Sequence, residues 1–262
     1  MKVLILGHRG MLGNAVYKYF IDKHEIEIID KKYRWNSEEF KNQIKNSNAD
    51  FIINCVGAIP QKKYSKEYYE FLNIELPIFL ETTSKKIIHP STDCEFSGKL
   101  PYPQKYSKDD IRDADDDYGM SKAKISEKIV KNFNNTKIIR TSIIGHELTD
   151  HFSLLEWFLS TKEGETLNGY TNYYWNGITT LQWCKIAEEI ILNWNTADVL
   201  TQIGVNELNK FDLLKIIKKV YLKSNTINKY LMEKPLNKML ISNRLIPNIE
   251  EQLMELKNFY NK

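Results

Sequence analysis

The stretch KVLILGHRGMLG, residues 2–13, decides the fold of this chain. Its first five residues form a short apolar run, which is typical of a β-strand buried on both faces of a sheet. Gly7, Gly10 and Gly13 follow at intervals of three, and apolar residues then recur every four positions from Leu12 to Phe20, as on the buried face of a helix. A strand, a glycine-rich turn and a helix together predict a phosphate site, because glycines allow close backbone approach and a helix N-terminus offers unpaired N–H groups.

The glycine spacing is a variant of the Gly-x-Gly-x-x-Gly fingerprint of dinucleotide-binding folds, and a plain tight turn between strand and helix is the alternative. The residues of this turn predicted to bind a cofactor are Gly7, Arg9, Gly10, Met11, Leu12 and Gly13. A second strand predicted at 26–29 ends at Asp30, whose carboxylate suits the ribose 2′-hydroxyl of NAD. Lys31 and Arg9 instead suit the 2′-phosphate of NADP. Because Arg9 lies inside the turn, NADP(H) is slightly favoured over NAD(H).

Strand and helix patterns continue to alternate up to about residue 145. Further strands are predicted at 50–58, 86–91 and 136–142, and helices at 37–46 and 64–84, the second of these kinked at Pro77. This alternation predicts an α/β fold of the Rossmann type, with a doubly wound parallel sheet. Ligands of such sheets bind at the carboxyl ends of the strands.

The residues that end these strands are therefore predicted to contact the cofactor. They are Cys55, Val56, Gly57, Ala58, Ser91 and Ile143.

A tyrosine and a lysine four residues apart, Tyr118 and Lys122, follow an acidic loop where a helical pattern begins. Residues at this spacing share one face of a helix. An ammonium beside a phenol favours the phenolate, so Lys122 is expected to lower the pKa of Tyr118 and to suit it for proton transfer at a hydroxyl or carbonyl oxygen. The spacing alone is also common at exposed helix starts, so its weight depends on the other motifs.

Composition limits the possible functions. The chain has 262 residues, of which 42% are hydrophobic and 27% charged, with a net charge of +3, so no nucleic-acid or membrane partner is expected. Its three cysteines are widely spaced and no apolar run reaches the length of a membrane span, which predicts a reducing, cytoplasmic location. There is no cluster of metal ligands, and no metal is predicted.

The predicted division is an NAD(P)-binding domain at 1–145 and a small C-terminal α/β lobe at 146–262 that mainly binds substrate. A helix at 178–194 is expected to return to the sheet. The segment from 169 to 177 is rich in aromatic and amide side chains, among them Trp175 and Asn176, which suit a sugar or a base. The alternative is that these aromatic residues pack the lobe. The lysines from 215 to 238 mainly suit a solvated face, although one or two could meet a diphosphate.

Four motifs carry a family resemblance. They are Gly7-x-x-Gly10-x-x-Gly13, Ser91-Thr92-Asp93, Tyr118-x-x-x-Lys122 and Arg140-Thr141-Ser142. In this order and rough spacing they resemble the extended short-chain dehydrogenase/reductases, and most closely the dTDP-4-dehydrorhamnose reductase family. The opening residues are also similar to those of GDP-fucose synthases, a neighbouring branch that uses NADPH.

The resemblance implies NAD(P)H-dependent reduction of the 4-keto group of a nucleotide-linked 6-deoxysugar, in the synthesis of a surface-polysaccharide precursor. By the same resemblance, Tyr118 would protonate the sugar oxygen, Lys122 would hold the nicotinamide ribose, and Thr92 would polarise the carbonyl. Asn73, in the third predicted helix, stands where many relatives have an asparagine, which implies a contact with the cofactor. For Asn73 the alternative is an amide at the helix surface or one that satisfies the backbone at the kink. A homodimer is possible in such a family.

The residues predicted to touch the substrate are Thr92, Asp93, Cys94, Glu95, Tyr118, His146, Trp175 and Asn176. For His146 the favoured alternative is a structural histidine, since it has no motif partner. Cys94 and Glu95 depart from the tyrosine and valine that the family usually carries, so the sugar contacts there are open. Alternatives on the same scaffold are an epimerase or a dehydratase, the latter because Asp93 and Glu95 place acids beside Thr92. A non-catalytic, cofactor-binding regulatory subunit is the alternative from a different class.

Overall fold

The computed structural model describes residues 1–29, 34–149 and 151–261. Its strands are β1 (Lys2–Leu6), β2 (Glu25–Ile28), β3 (Phe51–Asn54), β4 (Lys86–Ser91), β5 (Thr136–Arg140), β6 (Ile143–Ile144), β7 (Thr166–Tyr170), β8 (Tyr173–Trp175), β9 (Ile178–Thr179), β10 (Leu200–Gln202), β11 (Leu208–Asn209), β12 (Thr226–Tyr230) and β13 (Leu236–Asn237). Its α-helices are α1 (Met11–Phe20), α2 (Glu38–Asn46), α3 (Lys66–Glu70), α4 (Leu76–Glu81), α5 (Asp117–Asn132), α6 (Leu154–Ser160), α7 (Thr180–Leu192), α8 (Lys210–Tyr221) and α9 (Ile249–Tyr260).

The main sheet of the described residues has six strands in the order β10-β5-β4-β3-β1-β2, and all of its pairings are parallel. The chain first winds outward from β1 to β2 and then crosses to β3 on the other side of β1. This reversal creates a crevice at the carboxyl ends of β1 and β3, where doubly wound folds bind their ligands. The predicted fold class is confirmed.

Both faces of the sheet are buried. Successive side chains of β1 point to opposite faces, so Val3 and Ile5 pack with α1 and α7, whereas Leu4 and Leu6 pack with α2 and the helix that follows β3. All four of these side chains are fully buried. The apolar run that begins the sequence is thus the central strand of a three-layer core.

Residues beyond 146 contribute to the main sheet as well as to a smaller lobe. β10 pairs with β5, so the predicted boundary at residue 145 does not enclose the whole sheet. Without β10, the outer edge of β5 would have unpaired backbone N–H and C=O groups, and the later segment covers that edge. Helices α6, α8 and α9 bury a separate apolar cluster with β7, which pairs with β12.

The helix predicted at 64–84 contains a widened turn instead of a simple kink. Its segments α3 and α4 are joined by a π-helical turn at Phe71–Glu75, immediately before Pro77. Proline has no N–H to donate to the carbonyl four residues earlier, which is that of Asn73, and the helix adapts by widening there. None of the helices in the described ranges is long and apolar enough to cross a membrane.

Candidate functional site

A cavity of about 470 Å³ opens at the carboxyl ends of β1, β3 and β4. Its lining includes the predicted residues Gly7, Arg9, Gly10, Met11, Leu12, Cys55, Val56, Gly57, Ala58, Asn73, Ser91, Thr92, Asp93, Cys94, Tyr118, Lys122 and Ile143. The volume is within the usual range for small-molecule sites. A second, more open depression of about 680 Å³ lies at the opposite end of the sheet, around Met1 and Asp50, away from these residues.

The glycine turn brings α1 unusually close to β1. Gly7 has a φ of +77°, and a Cβ at Gly13 would lie 2.0 Å from the Gly7 carbonyl oxygen. Gly13 therefore serves the packing behind the turn, and it does not line the cavity among the described residues. Gly10 caps α1 in an extended conformation without a side-chain hydrogen bond, so the first N–H groups of the helix are suited to an anion. This cradle fits the pyrophosphate of a dinucleotide.

The residues that were to decide between NAD and NADP are only partly described. Asp30 and Lys31 lie outside the described residues, so the prediction for them stays as it was made. Arg9 lines the cavity beside Gly10.

Asn73 lies in the π-helical turn and acts as a brace. Its Oδ1 accepts the Ala58 N–H at 2.9 Å, while its Nδ2 donates to the Ala58 carbonyl at 3.2 Å and to Ser121 Oγ at 3.0 Å. The amide therefore connects the segment after β3 to α5. Although Asn73 lines the cavity, these polar contacts are all internal to the protein.

Helix α5 places Tyr118 and Lys122 on the cavity wall. The Asp116 carboxylate accepts the Gly119 N–H at 2.7 Å and so caps the helix one turn before Lys122. A Cβ at Gly119 would lie 2.3 Å from the Cys94 carbonyl oxygen, so only glycine lets α5 approach the turn that carries Thr92. The predicted tyrosine and lysine are thus brought beside the predicted threonine.

In the structure the pKa of Tyr118 shifts in the direction opposite to the one expected from the sequence. Burial raises the pKa of Tyr118 well above its ordinary value, the nearby Cys94 adds to this, and a hydrogen bond with Thr92 opposes it. Burial lowers the pKa of Lys122 to about 8, against the charge of Glu95, which raises it. The expected lowering at Tyr118 is wrong for this state of the protein, and the phenol keeps its proton.

Thr92 is held at the end of β4 by its own turn. Its Oγ1 accepts the Cys94 N–H at 3.1 Å and donates to Asp93 Oδ1 at 3.0 Å. Burial and the Asp93 carboxylate raise the pKa of the Cys94 thiol to about 12, so this cysteine stays a neutral thiol. The turn presents a hydroxyl, a carboxylate and a thiol to the cavity.

Glu95 was predicted to touch the substrate, but it lies beneath the site. Its side chain is fully buried, with Oε2 at 2.7 Å from Arg140 Nη2 and 2.8 Å from Arg112 Nε, and its Oε1 accepts from Ser91 Oγ. A carboxylate between two guanidinium groups is stable in the interior only because both partners are present. Glu95 therefore anchors the Thr92 turn from below.

We expect Glu95→Gln to lower the free energy of unfolding by about 3 kcal/mol, because it leaves two arginines without their counter-charge. Urea denaturation followed by circular dichroism measures this. Glu255→Gln is the matched control, since Glu255 pairs with Lys185 at 2.6 Å near the surface. The control should change stability by less than about 1 kcal/mol, and an equal effect of both variants would contradict the buried role.

His146, Trp175 and Asn176 were also predicted to contact substrate, and none of them lines the cavity among the described residues. His146 is buried, with Nδ1 at 2.5 Å from Glu156 and Nε2 at 2.8 Å from the Tyr221 hydroxyl. Asn176 is bonded through both amide atoms to the backbone of residue 240. Trp175 packs in the core of the small lobe. All three side chains are thus engaged in holding the lobe together.

Several residues of the cavity wall were not predicted from the sequence. Aromatic and apolar side chains around the opening are Trp35, Tyr64, Tyr68, Leu148 and Phe152. Each of these residues comes after the end of a predicted strand in the sequence, and that position is the signal that could have identified them.

Two lysines of the small lobe are electrostatically coupled to the Thr92 turn. Burial lowers the pKa of Lys210, the neighbouring Asp93 and Cys94 side chains act to raise it, and the Lys210 Nζ lies 5.2 Å from the centre of the Trp175 ring. For Lys238 burial acts to lower the pKa, but Cys94 and Asp93 outweigh it and raise the pKa overall. Lys238 lies in the lysine-rich segment for which a diphosphate contact was considered, whereas Lys210 was missed.

Comparison with known proteins identifies the family and the fold of the chain. Residues 1–167 match the family model described as RmlD substrate binding domain. No curated protein sequence matches the chain. Among solved structures, a dTDP-4-dehydrorhamnose reductase from Clostridium acetobutylicum is 18% identical, with a TM-score of 0.85 and coverage of 100% of both chains.

Two further structures share the fold. A dTDP-4-dehydrorhamnose reductase from Bacillus anthracis in complex with NADP is 17% identical, with a TM-score of 0.86 and coverage of 100% of this chain and 99% of the other. A dTDP-glucose 4,6-dehydratase from the same organism, in complex with NAD, is 16% identical, with a TM-score of 0.76 and coverage of 100% and 96%. The family resemblance seen in the four motifs is confirmed.

Proposed function

Because the chain belongs to the family of the RmlD substrate binding domain, we propose that it reduces the 4-keto group of a nucleotide-linked 6-deoxysugar with NADPH or NADH. The proposed product serves as a precursor of a surface polysaccharide. The observation that carries this proposal is the meeting of Tyr118, Lys122 and Thr92 in one cavity with the glycine turn.

The residues present fit a dinucleotide. Gly7 and Gly10 and the start of α1 would hold its pyrophosphate, Val56 to Ala58 would pack against the adenosine half, and Lys122 would hold the nicotinamide ribose. When bound, the reduced nicotinamide would supply the hydride that the carbonyl carbon accepts.

The protein's own residues would deal with the charge that develops on the carbonyl oxygen. Tyr118 would donate its phenolic proton to that oxygen, so that the ketone becomes a hydroxyl. Tyr118 is protonated at the working pH, as a donor must be, although burial alone makes the phenol a weaker acid, so its proton would move as negative charge develops on the carbonyl oxygen. Thr92 would orient the same oxygen, and Asp93 would contact neighbouring hydroxyls of the sugar.

The alternative reactions differ in the acids and bases that they need beside Thr92. A dehydratase was considered because of Asp93 and Glu95, but Glu95 is enclosed by Arg140 and Arg112. Asp93 alone of this pair lines the cavity. A non-catalytic regulatory subunit is disfavoured by the presence of all three proposed catalytic side chains in one cavity. We therefore place reduction first.

The test is oxidation of NADPH and of NADH, followed at the nicotinamide absorbance, with a panel of nucleotide-linked 4-keto-6-deoxysugars. Turnover with at least one of these sugars is the expected result, and product analysis then gives the sugar and its configuration. Tight binding of the cofactor without oxidation across the panel would contradict the reductase and favour the regulatory subunit.

Arg9 should carry the preference between the two cofactors. We expect Arg9→Gln to weaken NADPH binding about tenfold while NADH binding is unchanged, because only NADPH has the 2′-phosphate that a guanidinium would pair with. Isothermal titration calorimetry with each cofactor measures this. Lys128→Gln, which removes a charge from the exposed face of α5, should change neither affinity. Equal losses for both cofactors in Arg9→Gln would refute the assignment.

A further inference from the structure

A line of buried polar side chains runs beneath Lys122 and away from the cavity. Asn54 ends β3 and His89 lies beside it on β4, and both are almost completely buried. His89 Nδ1 is 3.3 Å from Asn54 Nδ2, and its Nε2 is 3.3 Å from Lys122 Nζ. Lys122 Nζ also donates to the Pro90 carbonyl at 2.7 Å.

The orientation of the Asn54 amide is fixed by the backbone. Its Oδ1 accepts the Val56 N–H at 3.1 Å, a role that only the oxygen of the amide can fill. The NH2 group of Asn54 therefore faces His89, and the favourable partner for it is an Nδ1 that accepts.

His89 has a single ring proton with which to satisfy two neighbours. Burial and the charge of Lys122 lower the pKa of His89 well below its ordinary value, so the imidazole is neutral and carries one N–H. If Nδ1 accepts from Asn54, the proton is on Nε2 and points at Lys122, which must then be a neutral amine. If Lys122 is an ammonium, Nε2 must accept, and the Nδ1–H then faces the amide N–H group of Asn54.

We propose that His89, oriented by Asn54, is a positioning residue whose tautomer is coupled to the charge of Lys122. In the first state Lys122 is an ammonium and the ring proton is on Nδ1. In the second state Lys122 has released one proton to the cavity, the ring proton is on Nε2, and every group of the line has a partner. The donor–donor contact in the first state favours release of the Lys122 proton.

Other titratable side chains near Lys122 are those of Glu95 and Tyr118. Glu95, from the turn after β4, favours the ammonium, and its own partner is Arg140 on β5. Tyr118 lies one helical turn before Lys122 on α5. The catalytic consequence, a Lys122 that changes charge near neutral pH, rests on the proposed function, whereas the coupling itself does not.

The coupling can be tested without substrate by 15N NMR of histidine-labelled protein, because the two nitrogen shifts of a ring identify its tautomer. The signals of His89 are those lost in His89→Gln. From about pH 6 to about pH 10, we expect the ring proton of the wild-type protein to move from Nδ1 to Nε2, centred near pH 8, where Lys122 titrates. One tautomer throughout this range would overturn the proposal.

Two variants distinguish the effect of Lys122 on the His89 tautomer from the effect of Asn54. Lys122→Met should fix the proton on Nε2 at every pH, because Asn54 then decides alone. Asn54→Asp should keep it on Nδ1 to higher pH, because a carboxylate oxygen accepts that N–H, and the alkaline limb of kcat should move upward by about one pH unit. His151→Gln is the control, since His151 is exposed. In this variant the tautomer of His89 should change with pH as it does in the wild-type protein.

A switch that persists in Lys122→Met would refute the coupling. If either variant does not fold, the wild-type titration still decides the question. If the switch is found and no sugar is turned over, the coupling stands and the proposed function fails.

Discussion

Tyr118→Phe is expected to lower kcat by about 10³-fold, because it removes the one proton that the site is proposed to give to the carbonyl oxygen. The ring that packs in the cavity wall is kept, so cofactor affinity should be unchanged. Stopped-flow or steady-state oxidation of the reduced cofactor measures the rate, and calorimetry measures the affinity.

The control for this variant is Tyr69→Phe. The Tyr69 ring lies 6.0 Å from the Tyr118 ring, and its hydroxyl is 3.5 Å from the Ile59 carbonyl, outside the cavity lining in the described residues. It should retain nearly full kcat. Similar losses in both variants would contradict the role of Tyr118 as the proton donor, because the Tyr69 hydroxyl lies outside the cavity lining.

Gly13→Ala is expected to destabilise the fold by more than about 4 kcal/mol, an exceptional value for a single methyl group. The reason is geometric: the new Cβ would lie 2.0 Å from the Gly7 carbonyl oxygen, and the atoms that must yield belong to the backbone of the turn that follows the central strand. Thermal and urea denaturation measure the loss.

Gly10→Ala makes the same chemical change three residues earlier with a different outcome. Among the residues that the structure describes, its Cβ would meet only the Gly7 carbonyl oxygen, at 3.6 Å, which is ordinary contact. Stability should fall by no more than about 1 kcal/mol, while cofactor affinity should fall because the methyl enters the phosphate cradle. If Gly13→Ala were as stable as Gly10→Ala, the tight packing of α1 on β1 would be refuted.

The local chain determined most of what could be predicted. Residues 2–13 define a strand, a turn and a helix within one short segment, and the four- and two-residue periodicities are local too. The glycine turn, the parallel sheet and the placement of Tyr118 and Lys122 on one helix therefore followed from short stretches whose spacing fixes their geometry. The strand order itself was not predicted, because it depends on pairings between segments that are far apart in the sequence.

Partners distant in sequence determined what was missed. Nothing near Glu95 shows that Arg140, 45 residues later, turns it away from the cavity and into an ion pair. His146 follows a strand end, which favours a cleft position, but Glu156 and Tyr221 bind its ring in the small lobe. The pKa of Tyr118 was misjudged for the same reason, because its burial depends on packing that the spacing of four does not reveal.

The pairing of β10 with β5 has a consequence for how the chain folds during synthesis. The family model ends at residue 167, whereas the strand that covers β5 begins at Leu200. During synthesis the edge of β5 stays unpaired until β10 has been made. A fragment that stops at residue 167 would keep that edge exposed to pairing with other chains. The region that carries the family signature is therefore shorter than the region that must fold together, and a minimal expressed fragment has to extend past β10.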